Sequence, residues 1–178
     1  EFVLDTETTG LNYLTDDLIC VIFSTKPHQG IYVDINIVKQ NNEILKNLVK
    51  RKKVIFHNSK FDIHMTNHIL GWEYDQFEDT MLLHYCLNEA VGTHALKDLA
   101  IEFTDLGDYD TPLNNFKKEF CSKNKIKVAD FNYGLIPTDI LSQYAMKDGD
   151  ASMQLYKKFK PLVEKNDQLN NVYRNILL

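Results

Sequence analysis

Short apolar runs dominate the first third of the chain, and helical periods dominate the rest. Phe2 to Asp5, Leu18 to Thr25 and Gln29 to Ile35 gather β-branched and aromatic residues between turn-forming stretches such as "KPHQG", which predicts three strands. The period then changes. Ile37, Ile44, Leu45, Leu48 and Val49 approximate one helical stripe, and "KVIFHN" reads as a fourth apolar strand. A helix is expected from about Ser59 to Leu70, stopped by Gly71 just past its end. "DTMLLHYCLNE" and "THALKDLAIEF" follow as helices opened by the capping residues Asp79 and Thr93. The stretch from Asp105 to Gly134 is less regular and offers one short helix, "NNFKKEFCSKN". A long helix starts near Pro137 and runs to about Phe159, with Pro161 expected to bend or end it.

That order predicts an α/β fold. Three strands joined by short connections pair antiparallel, and the strand after the first helix enters by a parallel crossover. Neither an internal repeat nor a low-complexity tract interrupts the pattern.

At 178 residues and 44% hydrophobic, the chain can bury one sizeable core, so one domain spanning 1–178 is expected. The net charge of −5 is not that of a protein holding long duplex nucleic acid on a basic surface. A polyanionic ligand would have to be gripped locally or through cations. Three widely spaced cysteines suggest neither a zinc site nor a disulfide framework, which points to an intracellular reducing compartment. No apolar run approaches membrane-spanning length, so no membrane partner is expected. Glu1 stands directly before a strand and "NNVYRNILL" is apolar without a stop signal; both ends read as cut from a longer chain.

Acids then stand out in apolar settings. Asp5 and Glu7 lie two apart at the end of the first strand and would project from one face. Two carboxylates that close repel, and a divalent cation would resolve the conflict; the alternative is a capping aspartate beside a solvated glutamate. Asn58 and Asp62 share a face at the start of a helix, with Met65 and Ile69 near the same stripe. Favourable placement near a helix N-terminus would also explain Asp62. On the long helix, Leu141, Tyr144, Asp148, Ala151 and Leu155 step by three and four, so one tyrosine and one aspartate interrupt an apolar stripe. A buried, unpaired carboxylate is costly, so Asp148 needs a partner or a site. Asp150 falls off the stripe and is expected to be solvated.

In order, "DTE", "NSKFD" and "YAMKD" resemble the three motifs of the DEDD superfamily of 3′-to-5′ exonucleases. The tyrosine four before the last aspartate is similar to the tyrosine subclass. "FEDTMLLHYCLNEAVGTHALKDLA" resembles the segment between the second and third motifs in the proofreading domain of family A DNA polymerases, and "LNNVYRNILL" the lead-in to their polymerase domain. The similarity covers most of the chain and is weakest from Asp105 to Gly134.

The resemblance implies a ribonuclease H-like fold with a central mixed sheet flanked by helices, and metal-dependent hydrolysis of the 3′-terminal phosphodiester of DNA. It implies that Asp5, Glu7, Asp62 and Asp148 hold two Mg²⁺ or Mn²⁺ ions, an assignment that suits hard oxygen ligands. Tyr144 would orient the attacking water, since a phenol with an ordinary pKa near 10 is a poor base at neutral pH. Leu11 matches a position that wedges against the terminal bases, Asn58 one near the terminal nucleotide, and the backbone around Thr6 could meet the 3′-hydroxyl. Phe61, adjacent in role to His57, could stack on a base or belong to the core. The implied partners are the 3′ end of single-stranded or frayed DNA and a C-terminal polymerase domain. A ribonuclease D-like exoribonuclease is the nearest rival, and a non-catalytic nuclease-like scaffold the rival from another class.

Other residues carry less. His64 and His68 lie one helical turn apart with no third zinc ligand nearby, and read as a solvated face. His84 and His94 read as lone structural residues, and Lys97 as an ordinary surface lysine that could reach phosphate. "KNLVKRKK", the most basic run, could touch nucleic acid, but its cations already fit the last turn of a helix.

Overall fold

The computed structural model describes residues 1–178. Five strands form one sheet: β1 (Phe2–Thr8), β2 (Leu18–Ser24), β3 (Ile31–Asp34), β4 (Val54–Phe56) and β5 (Phe77–Asp79), in the order β3-β2-β1-β4-β5. β1 pairs antiparallel with β2, and β2 with β3; β4 joins β1 in parallel, and β5 joins β4 in parallel. The expected mixed sheet is present, with β5 as an addition. β5 was unreadable because three residues on a parallel edge show no periodicity of their own.

Eight α-helices accompany the sheet. The single helical stripe expected after β3 is broken into α1 (Ile35–Gln40) and α2 (Asn42–Arg51), with Asp34 capping the first by accepting from the Asn36 N–H at 2.8 Å. α3 spans Ser59–Leu70 and ends on Gly71 at φ +67°, a left-handed closure that glycine adopts without penalty. α4 is Thr80–Leu87 and α5 is Leu96–Phe103. Asp79 caps α4 as expected, whereas Thr93 caps nothing: α5 starts later, after Ala95, and the Thr93 hydroxyl donates to the Ala90 carbonyl at 2.8 Å. α6 (Thr111–Asn124) contains the short helix expected at "NNFKKEFCSKN" and begins three residues earlier, and two single 3-10 turns, Val128–Asp130 and Tyr133–Leu135, complete that less regular stretch. α7 runs Thr138–Glu164, straight through Pro161, and α8 (Asp167–Val172) leads into a last wide turn, Tyr173–Leu177. No helix is long and apolar enough to cross a membrane.

The strand alternation distributes two apolar layers. Phe2 and Leu4 of β1 point to one face, where they join Val21, Phe56, Met65 and Trp72 under α1–α3. Val3 points to the other and joins Ile55, Leu83, Met153 and Phe159 under α4, α5 and α7. Asp5 and Glu7 continue the second face, beneath α7, at the carboxyl end of the central strand. Gly149 permits the close approach there, since a Cβ on it would lie 2.7 Å from Ile22 Cγ2. The register shift between Glu7 and Thr8 marks a bulge at that strand end, a device that re-aims side chains.

Candidate active site

Asp5 and Glu7 leave β1 together, and Asp148 comes down on them from α7. One carboxylate oxygen from each lies within 4.8 Å of the others. Glu7 and Asp148 are buried and Asp5 is half-buried. Asp62 enters from α3 on the opposite face of the sheet, reaches the same cavity and is buried, but stands outside this group of three. Its carboxylate accepts the Thr6 hydroxyl at 2.6 Å. All four acids therefore border one cavity of about 740 Å³.

The electrostatics are those of a site short of positive charge. Burial pushes the Asp5 carboxyl well above its ordinary value, and the neighbouring Asp62, Asp148 and Glu7 charges add to it. Glu7 is pushed up to about 8, by burial first and then by Asp148. Asp62 is pushed up to about 7 by burial, against the opposing hydrogen bond from Thr6. Hard oxygen donors that hold back their protons for want of a counter-charge fit a divalent cation of the Mg²⁺ kind.

Tyr144 sits one turn before Asp148, half-buried at the cavity wall. Burial, then the Asp148 and Glu7 charges, raise its phenol far above the usual range, so it keeps its proton at any working pH. Two residues that periodicity did not flag complete this side. Tyr109 donates its hydroxyl to Asp148 Oδ1, and Lys97 pairs with the same oxygen. The Lys97 ammonium also lies 4.1 Å from the Tyr144 ring centre, so it is a cavity residue and not the surface lysine expected. No signal in the sequence separates it from the other lysines on the chain.

The remaining candidates line the same cavity. Leu11 is 86% exposed at its mouth. Phe61 borders it from α3 while packing on the core beneath α1–α3. Asn58 takes φ +67°, a left-handed conformation asparagine tolerates, and its exposed side chain borders the cavity. His57 Nε2 donates to the His94 carbonyl at 3.0 Å, leaving Nδ1 to accept from the Thr80 hydroxyl at 2.8 Å. Burial holds that imidazole down to about 4, so it is neutral and both its nitrogens are engaged. The Thr6 side chain is turned to Asp62, which leaves only its backbone near the cavity. Lys117, Phe131 and Tyr133, from the stretch without a readable pattern, form the far wall.

Asp79 fixes the frame. Its carboxylate accepts the Asn58 and Ser59 N–H groups at 3.2 and 2.7 Å and those of Met81 and Leu82 at 2.9 and 3.4 Å, tying together the starts of α3 and α4. Two other expectations need correction. Asp150 is buried, not solvated, because its carboxylate accepts the His28 N–H at 2.7 Å. His84 and His94 are a pair, with Nδ1 atoms 2.8 Å apart. His64 and His68 are exposed as expected, and Tyr13 stacks on His64.

Residues 1–164 match the family model described as 3′-5′ exonuclease. The chain is 40% identical over an alignment of 185 residues to a DNA polymerase of Escherichia phage T5, covering 98% of this chain and 21% of that protein. It is 33% identical over 156 residues to a DNA polymerase of Bacillus phage SP01, covering 83% of this chain and 16% of that one. The chain thus spans about a fifth or less of these two polymerases. Among solved structures, NrnC of Brucella melitensis superposes with a TM-score of 0.70 at 20% identity, covering 97% of this chain and 79% of that one. The fold is therefore that of the ribonuclease H-like exonucleases.

Proposed function

From the premise that this chain belongs to the 3′-5′ exonuclease family, whose members are divalent-metal-dependent nucleases, we propose that it removes nucleotides from the 3′ end of DNA as the proofreading part of a DNA polymerase. The observation that carries this reading is the convergence of Asp5, Glu7 and Asp148, with Asp62 on the same cavity, at the end of the central strand.

In this reading Asp5, Glu7, Asp62 and Asp148 hold two Mg²⁺ or Mn²⁺ ions. Bound there, such ions supply a water of lowered pKa and neutralise charge on the phosphate. The protein's own groups do the rest. Tyr144 keeps its proton and orients the attacking water, because a phenol with so raised a pKa cannot serve as base. Leu11 separates the terminal base from its neighbour at the cavity mouth. Asn58 and Phe61 bound the terminal nucleotide on the α3 side, and the Thr6 backbone meets the 3′-hydroxyl. His57, neutral and doubly hydrogen-bonded, acts as a fixed wall. Gripping a few frayed nucleotides needs no broad basic face, which agrees with the net charge of −5.

Digestion of 3′-labelled single-stranded DNA and matched RNA by the wild type and by Asp148→Ala tests this. The expected result is Mg²⁺- or Mn²⁺-dependent loss of nucleotides from DNA, abolished in the variant. Degradation of neither substrate would sink the catalytic reading, and a preference for RNA would sink the polymerase assignment.

A further inference from the structure

Lys97 stands in the first turn of α5 with its ammonium inside the acid cavity. It pairs with Asp148 Oδ1, lies 3.2 Å from the Tyr109 hydroxyl, and stands 4.1 and 4.5 Å from the ring centres of Tyr144 and Tyr109. Its side chain is 25% exposed, so the ammonium is enclosed but not sealed off. The other lysine on the cavity, Lys117, is on the far wall, 5.0 Å from the Tyr133 ring centre. Lys97 is thus the one cation in contact with the carboxylates, and a single positive charge cannot balance four of them.

A divalent cation held by Asp148 would compete for the oxygen that Lys97 now holds. The ammonium would then lose its anion while keeping its place between the two rings, on a flexible four-carbon stem. A phosphodiester seated at the carboxylates through cations is the next anion in reach. The charges then close, because two divalent ions balance the four acids and the lysine balances the single charge of the diester.

Resting on the metal-dependent reading above, we propose that Lys97 is an exchangeable counter-ion of the site, bound to Asp148 when the carboxylates are free of metal and transferred to the phosphate of the 3′-terminal nucleotide when they are not. Lys97 is then a substrate-binding residue, and Tyr109 and Tyr144 are the rings that hold its ammonium at the point of exchange.

Two readouts on the 178-residue chain test this without measuring turnover. Mn²⁺ binding to the protein alone is followed by the electron paramagnetic resonance of the free ion. Binding of a single-stranded oligodeoxynucleotide with a cleavage-resistant 3′-phosphorothioate is followed by anisotropy across a salt series in Mn²⁺. Lys97→Met is expected to bind Mn²⁺ several-fold more tightly, since its internal competitor is gone. Its slope of log affinity against log salt should fall by about 0.7, the loss of one single-strand phosphate contact, and Lys97→Arg should retain the slope. Mn²⁺ affinity unchanged or weakened in Lys97→Met overturns the exchange. An unchanged slope overturns the phosphate contact and leaves a structural lysine, even if the melting temperature drops. A wild type that binds no Mn²⁺ fails the metal-dependent reading itself, a different result from either.

Discussion

The Thr6 hydroxyl donates to the Asp62 carboxylate at 2.6 Å, joining the buried α1–α3 side of β1 to α3 across 56 positions of sequence. Thr6 alternates with Asp5 and Glu7, so one strand end presents two acids to one face and the fixing group for a third to the other. Thr6→Val keeps the shape and removes the donor. It should cost about 1–3 kcal/mol, the penalty for stripping a buried polar group of its partner. It should also raise the Asp62 carboxyl further, because the Thr6 bond is what opposes burial there. Exonuclease activity should fall while Asp5 and Glu7 stay in place. Urea unfolding and nuclease assays read both effects, and a variant equal to wild type in both would show that Thr6 does not position Asp62.

Burial of the acids, with their mutual repulsion added, predicts how the metal-free protein responds to pH. Glu7 and Asp62 bind their protons up to about 8 and about 7 in the folded state, against ordinary values near 4.5 and 3.8. The folded chain therefore holds more protons than the unfolded chain between those limits, so stability falls as pH rises from about 4 to about 8. In EDTA the melting temperature should decline over that window, and Glu7→Gln should flatten the decline. Saturating Mn²⁺ should raise stability by about 2.7 kcal/mol at a hundred times its dissociation constant, most visibly at the alkaline end. A metal-free melting temperature that climbs with pH across the window would contradict the raised Glu7 and Asp62 carboxyls.

The two tyrosines beside Asp148 should separate by role. Tyr144 makes no side-chain hydrogen bond that would hold it, whereas Tyr109 donates to Asp148 Oδ1. Tyr144→Phe should lower kcat by about 10²-fold, the scale of a misplaced reacting group, with Mn²⁺ affinity kept. Tyr109→Phe should alter Mn²⁺ affinity, because it frees an acceptor on a proposed ligand. Steady-state kinetics with parallel Mn²⁺ titration distinguishes them, and loss of metal affinity in Tyr144→Phe would contradict the assignment of water positioning.

These relationships differ in how far the sequence displays them. Asp5, Glu7 and Asp148 were legible because each breaks an apolar pattern, and period two on a strand or three and four on a helix says which face the break is on. Asp62 was legible as an acid on a packed stripe, but its bond to Thr6 was not, since nothing local couples a strand threonine to a helix that five other elements separate from it. Lys97 and Tyr109 escaped for a similar reason. Lys97 lies on a helix whose own pattern looks ordinary and Tyr109 on the loop between α5 and α6, and only their approach to Asp148 on α7 gives them a partner. β5 escaped because a three-residue parallel edge has no period, although it places Asp79 beneath the starts of both α3 and α4.

The same short strand carries Glu78, whose fully buried carboxylate accepts from Lys160 at 2.5 Å, Arg174 at 2.7 Å and the Tyr173 hydroxyl at 2.8 Å. Tyr173 Oη in turn accepts the Asp79 N–H at 2.9 Å, so the last turn of the chain is fastened to the edge that frames the cavity. Burial alone would raise the Glu78 carboxyl, but the bonds from Lys160, Arg174 and Tyr173 outweigh it and hold the group below its ordinary value. A depressed acid stabilises above the ordinary glutamate range and loses that contribution as pH falls through its folded value. Glu78→Gln leaves Lys160 buried without its central counter-charge and should cost about 3 kcal/mol near neutral pH. For a chain of this size that is a melting temperature lower by roughly 6–12 °C. The gap between the two proteins should narrow as pH falls below the ordinary glutamate range and the wild-type carboxyl also gains its proton. A constant gap from pH 7 to pH 3 would mean that packing, not charge, holds the final turn to the sheet.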